Sequence, residues 1–461
     1  MSDIYLYNTA SKSIELFTPL QTGKVGVYSC GPTVYHYAHI GNMRAYVFAD
    51  ILRRTLVHKG YEVTHVINIT DVGHTVNDDD QAEDKMEKGS RREGKTAWDI
   101  ATFYTESFMR DISLLNIPKS AYIFPRATDN IKEQIAIIQK LEEKGYTYTT
   151  SDGVYFDTAQ FDSYADFAHL DVEGLQSGAR VEENKEKRNI TDFALWKFSP
   201  KNEKRQMEWE SPWGVGFPGW HIECSAMSTK YLGNHFDIHT GGIDHIPVHH
   251  TNEIAQSEAA FDEKYASYWM HINFLHDTTG KMSKSNDDFL TMQTLIQKGY
   301  DPLAYRYFLL TAHYRKEIAF SFESLDAASV AYEKLWNHVA ALKTTDVVAP
   351  HAEYMNLFTK ALYDDLATPA AIALLWKLVA DSIPDAEKYA TILEMDKVLG
   401  FGLEKAAQKE VVLTKEVEEL LDARSLARQN RDYKEADRLR DELKKHGFAV
   451  KDTQDGQEIA R

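Results

Sequence analysis

The sequence predicts an α/β protein in which an insertion interrupts a parallel sheet and a run of helices follows it. The first supporting observation is the order strand, helix, strand at residues 25–30, 40–59 and 62–70, because parallel sheets begin in this way. The second is a polar segment of mixed character, residues 120–215, after which a strand pattern resumes. The third is the helical character of the chain from about residue 303 onward.

The elements at the start of the chain follow from their side chains. The β-branched and aromatic residues of segment 25–30 favour a strand, although Gly26 weakens it. Residues 40–59 carry apolar side chains that a helix can bury on one face, and residues 62–70 form the next strand. Residues 76–95 are polar and predict a mobile loop. An amphipathic helix is then expected from about Ala97 to Leu115.

The later part of the chain is less regular. Short strands are expected at residues 146–150 and 153–156 inside the insertion, and at residues 236–239 after it. The tail is highly charged, and residues 422–440 are helical and basic on one side. Such side chains suit the edges of unpaired bases, but a solvated charged helix explains any single one of them equally well.

Composition limits the classes of function. The chain has 461 residues, of which 43% are hydrophobic and 26% are charged, and it has two cysteines. These values fit a soluble globular protein of the reducing cytoplasm, with neither a disulfide framework, a signal peptide nor a membrane-spanning helix. The net charge of −18 argues mildly against a nucleic-acid partner, although a local basic face can exist on an acidic protein.

Two short segments have the character of a phosphate site. His39-Ile40-Gly41-Asn42 lies where a strand gives way to a helix, whose first N–H groups attract an anion. A histidine in such a turn is often structural. Lys281-Met282-Ser283-Lys284-Ser285 follows Gly280, and its two lysines can close over a polyphosphate. A solvated basic turn is the alternative, and the presence of the His39 turn in the same chain argues against it.

The two cysteines and a histidine–glutamate pair suggest a metal site. His249 and Glu253 are four residues apart in a helical stretch, so their side chains share one face. With Cys30 and Cys224 they would supply thiolates, an imidazole and a carboxylate, all good Zn²⁺ ligands. Equally, both cysteines could be small buried apolar side chains and the histidines a helix surface. The spacing alone leaves both interpretations open.

Taken together, the motifs resemble those of the cysteinyl-tRNA synthetases, a family of class I aminoacyl-tRNA synthetases, over nearly the whole chain. The segments that carry the resemblance are Cys30-Gly31-Pro32-Thr33-Val34-Tyr35, His39-Ile40-Gly41-Asn42, Asn68-Ile69-Thr70-Asp71, Gly219-Trp220-His221-Ile222-Glu223-Cys224-Ser225-Ala226-Met227, Asp237-Ile238-His239, Pro247-Val248-His249-His250-Thr251-Asn252-Glu253, Lys281-Met282-Ser283-Lys284-Ser285 and Asp364-Asp365-Leu366-Ala367-Thr368-Pro369.

The resemblance implies a Rossmann-like parallel-sheet catalytic domain with a connective insertion, an α-helical anticodon-binding bundle and a small C-terminal mixed domain. The expected boundaries are 1–118 and 213–262 for the two halves of the catalytic domain, 119–212 for the insertion, 263–305 for a stem-contact segment with the lysine loop, 306–400 for the bundle and 401–461 for the C-terminal tRNA-binding domain.

The resemblance also assigns residues. It implies that Cys30, Cys224, His249 and Glu253 bind one Zn²⁺ per chain. It implies that Thr70, Trp220 and Asp244 line the cysteine pocket. ATP, with Mg²⁺, would contact His39, Gly41, Asn42, Lys281 and Lys284, and of these His39, Asn42, Lys281 and Lys284 would act in catalysis.

The implied activity is the ATP-dependent attachment of L-cysteine to its tRNA through a cysteinyl-adenylate, with Zn²⁺ recognising the substrate thiolate. Zinc prefers sulfur to a neutral hydroxyl, so no editing domain is expected against serine. The partners would be ATP, L-cysteine and tRNA, with no membrane, and the chain would be a cytoplasmic monomer.

Two positions depart from the family pattern. The first signature usually ends in histidine, and here Asn42 stands in that place. An amide still donates a hydrogen bond to phosphate but carries no proton or charge, so we expect activity to be retained at a changed rate. Thr251 stands where glutamate is common, which changes the charge beside the expected metal.

Three other functions are compatible with part of the sequence. A cysteine ligase that transfers cysteine to a small amine-bearing sugar would share the adenylation site, but residues 303–461 favour tRNA. A zinc hydrolase would need an open metal position and a base such as Glu223, and it leaves the lysine loop unexplained. A non-catalytic tRNA-binding protein would not need the lysines and the metal ligands.

Overall fold

The computed structural model describes residues 3–73, 85–170, 186–200, 205–277, 280–281, 290–408, 415–430, 432–445, 449–453 and 456–460. For a few of these, Lys281 among them, only the main chain is described. The chain divides into two compact units, residues 1–402 and 403–461. None of the helices in the described part combines the length and the apolar character that crossing a membrane requires.

Strands and helices are interspersed in the first unit up to residue 320, and helices dominate after it. In chain order they are β1 (Tyr5–Asn8), β2 (Ser13–Leu16), β3 (Lys24–Ser29), α1 (Ile40–Lys59), β4 (Glu62–Ile67), α2 (Lys85–Glu93), α3 (Ala97–Leu114), α4 (Ile131–Glu143), β5 (Thr147–Thr149), β6 (Gly153–Phe156), β7 (Phe193–Phe198), β8 (Gly216–Pro218), α5 (Trp220–Leu232), β9 (Phe236–Gly242), α6 (Thr251–Phe261), β10 (Ala266–Ile272), β11 (Leu275–Asp277), β12 (Gly280–Lys281), α7 (Met292–Gln297), α8 (Pro302–Leu310), β13 (Ile318–Phe320), α9 (Phe322–Ala341), α10 (Ala352–Tyr363), α11 (Thr368–Ala380) and α12 (Asp385–Leu399).

A four-stranded parallel sheet forms the centre of this unit. Its spatial order is β10, β9, β3, β4, and the register pairs Tyr28 with both Val66 and His239. Since the strands run the same way, their carboxyl ends meet at one edge of the sheet, where α/β proteins bind ligands. The predicted parallel α/β fold is therefore confirmed, and the edge is the place to search for a site.

Helix α1 has the bounds that the sequence predicts. It begins with a reciprocal cap, in which the Asn42 N–H donates to His39 Nδ1 and the His39 N–H donates to Asn42 Oδ1. It ends at Gly60, whose φ of 102° suits glycine. Apolar residues such as Met43 and Leu52 are fully buried, so packing against the sheet holds the helix in place.

The prediction of a loop over residues 76–95 is wrong for its second half. Residues 74–84 lie outside the described part of the chain, but Lys85–Glu93 is a helix that packs on α3. Met86 is its one large apolar residue and is buried. A single apolar side chain gives no visible helical period, and Gly89 further lowers helix propensity.

The insertion forms an antiparallel sheet in the order β5, β6, β7, β8. Its apolar face, with Trp196 fully buried, packs in one core with Leu141 of α4, Ile222 of α5 and Ala255 of α6. The insertion therefore shares its core with the two helices that follow it, and those helices carry two of the expected metal ligands.

The helical segment is attached to α1 through a buried ion pair. Arg306 of α8 is fully buried, and its Nη2 lies 2.7 Å from Asp50 Oδ2. The same guanidinium donates to the carbonyls of Leu399 (2.8 Å) and Leu115 (2.9 Å). Breaking such a pair leaves an uncompensated buried charge, so this contact fixes the helical segment against the sheet domain.

The second unit is small and mixed. It contains α13 (Lys415–Gln429), α14 (Tyr433–Lys445) and the antiparallel hairpin of β14 (Ala449–Thr453) and β15 (Gly456–Ala460). Its helices pack through small apolar clusters, one of which joins Leu421 to Leu443. The charged tail is therefore a pair of helices followed by a hairpin.

Candidate functional site

A cavity of about 240 Å³ opens at the carboxyl edge of the parallel sheet. The residues that line it come from the ends of β3, β9 and β10, from the start of α1 and from α5. The predicted site residues among them are Cys30, His39, Gly41, Asn42, Thr70, Trp220, Cys224, Asp244 and His249. The cavity has two ends, which differ in chemistry. The first contains the sulfur and imidazole groups, and the second is the beginning of α1.

The sulfur end is built by four elements that converge on one point. Cys30 directly follows β3, and its N–H donates to the Thr240 carbonyl. Cys224 lies in α5, and Glu253 lies in the first turn of α6. His249 lies just before α6 in a π-helical turn at Ile246–His250, a distortion that often marks functional sites.

The four predicted ligands could hold one metal ion. One ligand atom from each of Cys30, Cys224, His249 and Glu253 lies within 4.8 Å of all the others. His249 Nε2 is 2.7 Å from Glu253 Oε1, and Cys30 Sγ is 3.8 Å from the same oxygen. The expected single helical face for His249 and Glu253 is confirmed. A second grouping, Cys30 with His239, His250 and Glu253, shares two of these residues.

The charges of this cluster favour a cation at its centre. Burial disfavours imidazolium, yet the Glu253 carboxylate and the Cys224 sulfur raise the pKa of His249 to about 10. A hydrogen bond from Cys30 lowers the pKa of Cys224 to about 7, and burial raises that of Cys30. Burial would also raise the pKa of Glu253, but His239 and His249 lower it. These shifts favour negative charge on Glu253 and, in part, on Cys224, and positive charge on His249 between them.

This arrangement fits a soft divalent ion. Metal ligands must lose their protons, and a bound metal replaces the proton as the source of positive charge. Two sulfurs, one imidazole and one carboxylate form a donor set typical of Zn²⁺. The donors are buried or half-buried and lie on four separate elements, so the fold and not a flexible loop positions them.

A shell of hydrogen bonds orients these ligands. His239 Nε2 lies 2.7 Å from Glu253 Oε2, and the Tyr265 hydroxyl donates to the same oxygen at 3.1 Å. His250 Nε2 is 3.3 Å from Cys30 Sγ, and its Nδ1 is 2.7 Å from His271 Nε2. Such outer contacts fix the direction in which a ligand points.

The middle of the cavity is a small polar pocket beside the cluster. Asn68 Oδ1 accepts from the Gly31 N–H at 2.7 Å, and Asn68 Nδ2 donates to Thr70 Oγ1 at 3.0 Å. A Cβ at Gly31 would lie 1.5 Å from the Asn68 carbonyl oxygen, so only glycine permits this contact. The Trp220 ring is 4.3 Å from the His249 ring. Asp244 also lines the pocket.

The other end of the cavity is the N-terminus of α1. The capping box uses Asn42 Oδ1 as an acceptor, so the amide Nδ2 remains as the donor of that side chain. A Cβ at Gly41 would lie 2.9 Å from His39 Nδ1, so glycine leaves room for that imidazole. The helix dipole makes this end suitable for an anion, although the N–H groups of Ile40 and Asn42 already donate to the Leu290 carbonyl and to His39 Nδ1.

The lysine loop is described only at its borders. Lys281 ends β12, where its main chain pairs with His276 of β11, and Lys284 lies outside the described residues. On the far side, the Leu290 carbonyl accepts from the Ile40 N–H at 2.8 Å. The chain therefore leaves and rejoins the described structure beside the start of α1.

Sequence reasoning missed several residues of this site. His239, His250 and His271 were not assigned a role, although each is a polar residue in a buried position. A histidine within the apolar strand segment 268–272 was a usable signal, because buried polar groups need partners. Arg44, which also lines the cavity, was missed because it lies on a helix face that is otherwise apolar.

Known families match most of the chain. The family described as tRNA synthetases class I (C) catalytic domain matches residues 16–330. The family described as cysteinyl-tRNA ligase anticodon binding domain matches residues 411–459. The second match covers the greater part of the small C-terminal unit.

Curated relatives and solved structures agree with these families. A cysteine–tRNA ligase 1 of Burkholderia lata is 53% identical over 455 residues, which cover 98% of this chain and 96% of the relative. A cysteine–tRNA ligase of Treponema denticola is 43% identical over 97% of each chain. The fold is similar to that of a methionyl-tRNA synthetase of Mycobacterium tuberculosis, with a TM-score of 0.55 at 14% identity over 90% of this chain and 96% of that one. It is also similar to the LeuRS of Agrobacterium radiobacter K84 in a ternary complex, with a TM-score of 0.59 at 11% identity over 85% of each chain.

Proposed function

Because this chain belongs to the cysteine–tRNA ligase family of class I synthetases and so attaches cysteine to its tRNA, we propose that it selects cysteine through a Zn²⁺ ion held by Cys30, Cys224, His249 and Glu253. One observation carries the proposal. The four donor atoms lie within 4.8 Å of one another, and three of these residues line the cavity that also contains Thr70 and the start of α1.

The metal would explain how the amino-acid pocket discriminates against serine. Cysteine and serine differ by one atom, and a pocket that uses shape alone gains a ratio of only about 10- to 200-fold from so small a difference. When bound, Zn²⁺ would supply a positively charged soft partner for a thiolate, which a neutral hydroxyl does not match. Thr70, Trp220 and Asp244 would hold the remainder of the amino acid in the same cavity.

The first chemical step is the attack of the cysteine carboxylate on the α-phosphorus of ATP, which forms cysteinyl-adenylate and releases pyrophosphate. The chain's own residues align the reactants and stabilise charge on the phosphates. His39, Gly41 and Asn42 would receive the triphosphate at the positive end of α1. Lys281 and Lys284 would close from the opposite side, and Mg²⁺ would accompany the ATP.

In the second step the cysteinyl group passes to the terminal ribose of the tRNA. We assign residues 1–118 and 213–262 to the catalytic domain, 119–212 to the insertion and 263–305 to the stem-contact segment. The bundle at 306–400 and the segment at 401–461 would also contact the tRNA. We propose that the enzyme acts as a monomer in the cytoplasm.

Cysteine-dependent exchange of pyrophosphate into ATP tests the role of the metal. We expect chelation to lower this exchange by at least about 100-fold, with recovery on adding Zn²⁺, because metal ligands and their supports typically contribute 10- to 100-fold or more. Cys224→Ser should reduce the preference for cysteine over serine. Unchanged selectivity in a preparation shown by metal analysis to be zinc-free would refute the proposal.

The alternative function, a ligase that transfers cysteine to a small amine, is not supported. The chain matches relatives that are named cysteine–tRNA ligases, and it covers almost their whole length. Residues 411–459 match an anticodon binding domain. Charging of tRNA by the full chain distinguishes the two functions, since both begin with the same adenylate.

A further inference from the structure

Arg44 is a buried cation whose described partners are main-chain carbonyls. It lies in the second turn of α1, is 3% exposed and lines the cavity. Its Nη1 donates to the carbonyls of Asn273 (2.7 Å) and Phe274, and its Nη2 donates to those of Lys316 (2.5 Å) and His313 (3.4 Å). Burial lowers the pKa of Arg44 to about 10, which leaves it charged at neutral pH.

These carbonyls belong to two segments that meet beside the cavity. Asn273 and Phe274 follow β10 and lead directly into β11 and β12, and so to Lys281. The loop at residues 313–316 leads into β13, which pairs with β11. The two segments are also joined to each other, because the Asn273 N–H donates to the Tyr314 carbonyl at 2.9 Å. Arg44 holds this junction from the side of α1.

The position of Arg44 connects the two arms of the nucleotide site. One arm is the start of α1 with His39 and Asn42, and the other is the chain that leads to the lysine loop. A guanidinium with its donors directed at carbonyls has a rigid planar geometry that a lysine ammonium lacks. Its contacts with main-chain carbonyls therefore join the two arms.

We propose that Arg44 is a positioning residue for ATP activation, which fixes the chain leading to the lysine loop against the start of α1. This inference rests on the proposed ATP site at His39, Asn42 and the lysines. An error of about 1 Å in the alignment of reacting groups can lower a rate by about 100-fold. A small change in the junction would therefore reduce turnover more than binding.

Asp365 forms hydrogen bonds with the 313–316 loop, on the side away from Arg44. Its Oδ1 accepts from the Tyr314 hydroxyl and its Oδ2 accepts from Arg315 Nε, both at 2.6 Å, while His313 Nε2 lies 2.8 Å from the Asp365 carbonyl oxygen. Asp365 and Leu366 both have positive φ, 51° and 56°. This strained turn lies between α10 and α11, so the loop is clamped between Arg44 and the helical segment.

The test compares Arg44→Lys and Arg44→Met with Arg53→Met in the full chain. Arg53 lies on the same helix, donates to the Ala121 carbonyl at 3.0 Å and lies over the Tyr122 ring, so its described contacts do not involve the junction. We expect kcat for cysteine-dependent pyrophosphate exchange to fall by about 10- to 100-fold in Arg44→Met, with partial recovery in Arg44→Lys. Metal content and the KM for cysteine should stay at the wild-type values, as should all parameters of Arg53→Met.

A second variant separates positioning from general loss of structure. Asp365→Asn keeps a residue type that tolerates positive φ but removes the charge, and we expect the same kcat to fall less than in Arg44→Lys. Because both act through one loop, the double variant should lose less than the product of the single effects.

Four outcomes are decisive. Equal losses in metal content, cysteine KM and kcat would overturn the inference, and so would independent effects of Arg44 and Asp365. If Arg44→Met does not fold, an Arg44→Lys kcat equal to that of the wild type would also overturn it. A wild-type chain without cysteine-dependent exchange would instead refute the proposed function.

Discussion

The two ends of the cavity are organised in different ways. At the sulfur end, side chains from several elements contact one another. The carboxylate oxygens of Glu253, for example, lie within 3.1 Å of polar atoms of His239, His249 and Tyr265. At the nucleotide end, the main organising groups are main-chain N–H groups of α1 and the carbonyls that Arg44 holds. In the proposed function, the first end would recognise an atom type and the second would recognise charge.

This difference has a physical origin. Selection of sulfur requires a soft ion with fixed ligands, and buried charges are stable only when each has a partner. A triphosphate carries its own charge and its own Mg²⁺, so a helix N-terminus and lysine side chains would be sufficient to bind it. We therefore expect substitutions at the sulfur end to change kcat/KM for cysteine. Substitutions at the end formed by the start of α1 should change kcat/KM for ATP.

The largest effect is expected for Glu253→Gln. The change keeps the shape of the side chain but removes the negative charge that His239 and His249 face at 2.7 Å. Loss of one partner from a buried ion pair costs about 3–5 kcal/mol, which corresponds to about 10²- to 4 × 10³-fold. We predict losses of this order in kcat/KM for cysteine, with reduced metal content, measured by pyrophosphate exchange and metal analysis.

The matched control is Glu263→Gln, which places the same substitution on an exposed residue just after the same helix. Its kinetics and metal content should equal those of the wild type. A Glu253→Gln enzyme that retains its metal and its cysteine KM would show that the sulfur end does not depend on this carboxylate.

A smaller and different effect is expected for Asn42→Asp. Aspartate preserves the acceptor oxygen that caps α1, so the helix should still form. It removes the amide donor and adds a negative charge where the phosphates would bind. Hydrogen bonds to charged groups contribute about 1.5–3 kcal/mol, so kcat/KM for ATP should fall by about 10- to 100-fold, while the KM for cysteine stays constant.

Asn42→His provides the control for this position, because histidine is the usual residue in the family. We expect its kcat/KM for ATP to stay within about tenfold of the wild type, since both side chains can donate to phosphate. An equal loss for cysteine and ATP in Asn42→Asp would mean that the two ends are not separable.

Much of the site could be predicted from the sequence, because short motifs carry it. Helix α1 was predicted with its observed bounds, and His249 and Glu253 share a face because they are four residues apart. The convergence of Cys30 and Cys224 could not be derived from spacing, since 194 residues separate them. Only the order of strands in the sheet brings the end of β3 beside α5.

The rest of the site depends on tertiary packing that leaves little local signal. The stretch Lys85–Glu93 is polar, yet it is a helix because Met86 finds a buried place. Arg44 resembles any surface arginine until the carbonyls of the junction surround it. In both cases long-range contacts override local preference.

The smallest effect, on stability, isolates the cost of burying a carboxylate far from the site. Burial raises the pKa of Asp111 from 3.8 to about 6, whereas the imidazoles around the more deeply buried Glu253 lower its pKa. A raised pKa means that the folded state binds the proton more tightly than the unfolded state. The stability that protonated Asp111 contributes is therefore fully present below about pH 4, and it is lost as the pH rises through about 6.

Asp111→Asn removes this titration, since an amide stays neutral at every pH. A shift of about two units corresponds to about 3 kcal/mol at most, so the variant should melt about 1–3 °C above the wild type at pH 8. At pH 4 the two proteins should melt together, and activity at pH 7.5 should not change. A gain in Tm that is the same at both pH values would mean that side-chain packing, and not the buried charge, accounts for it. The contrast with Glu253 would then require another explanation than the partners that surround each carboxylate.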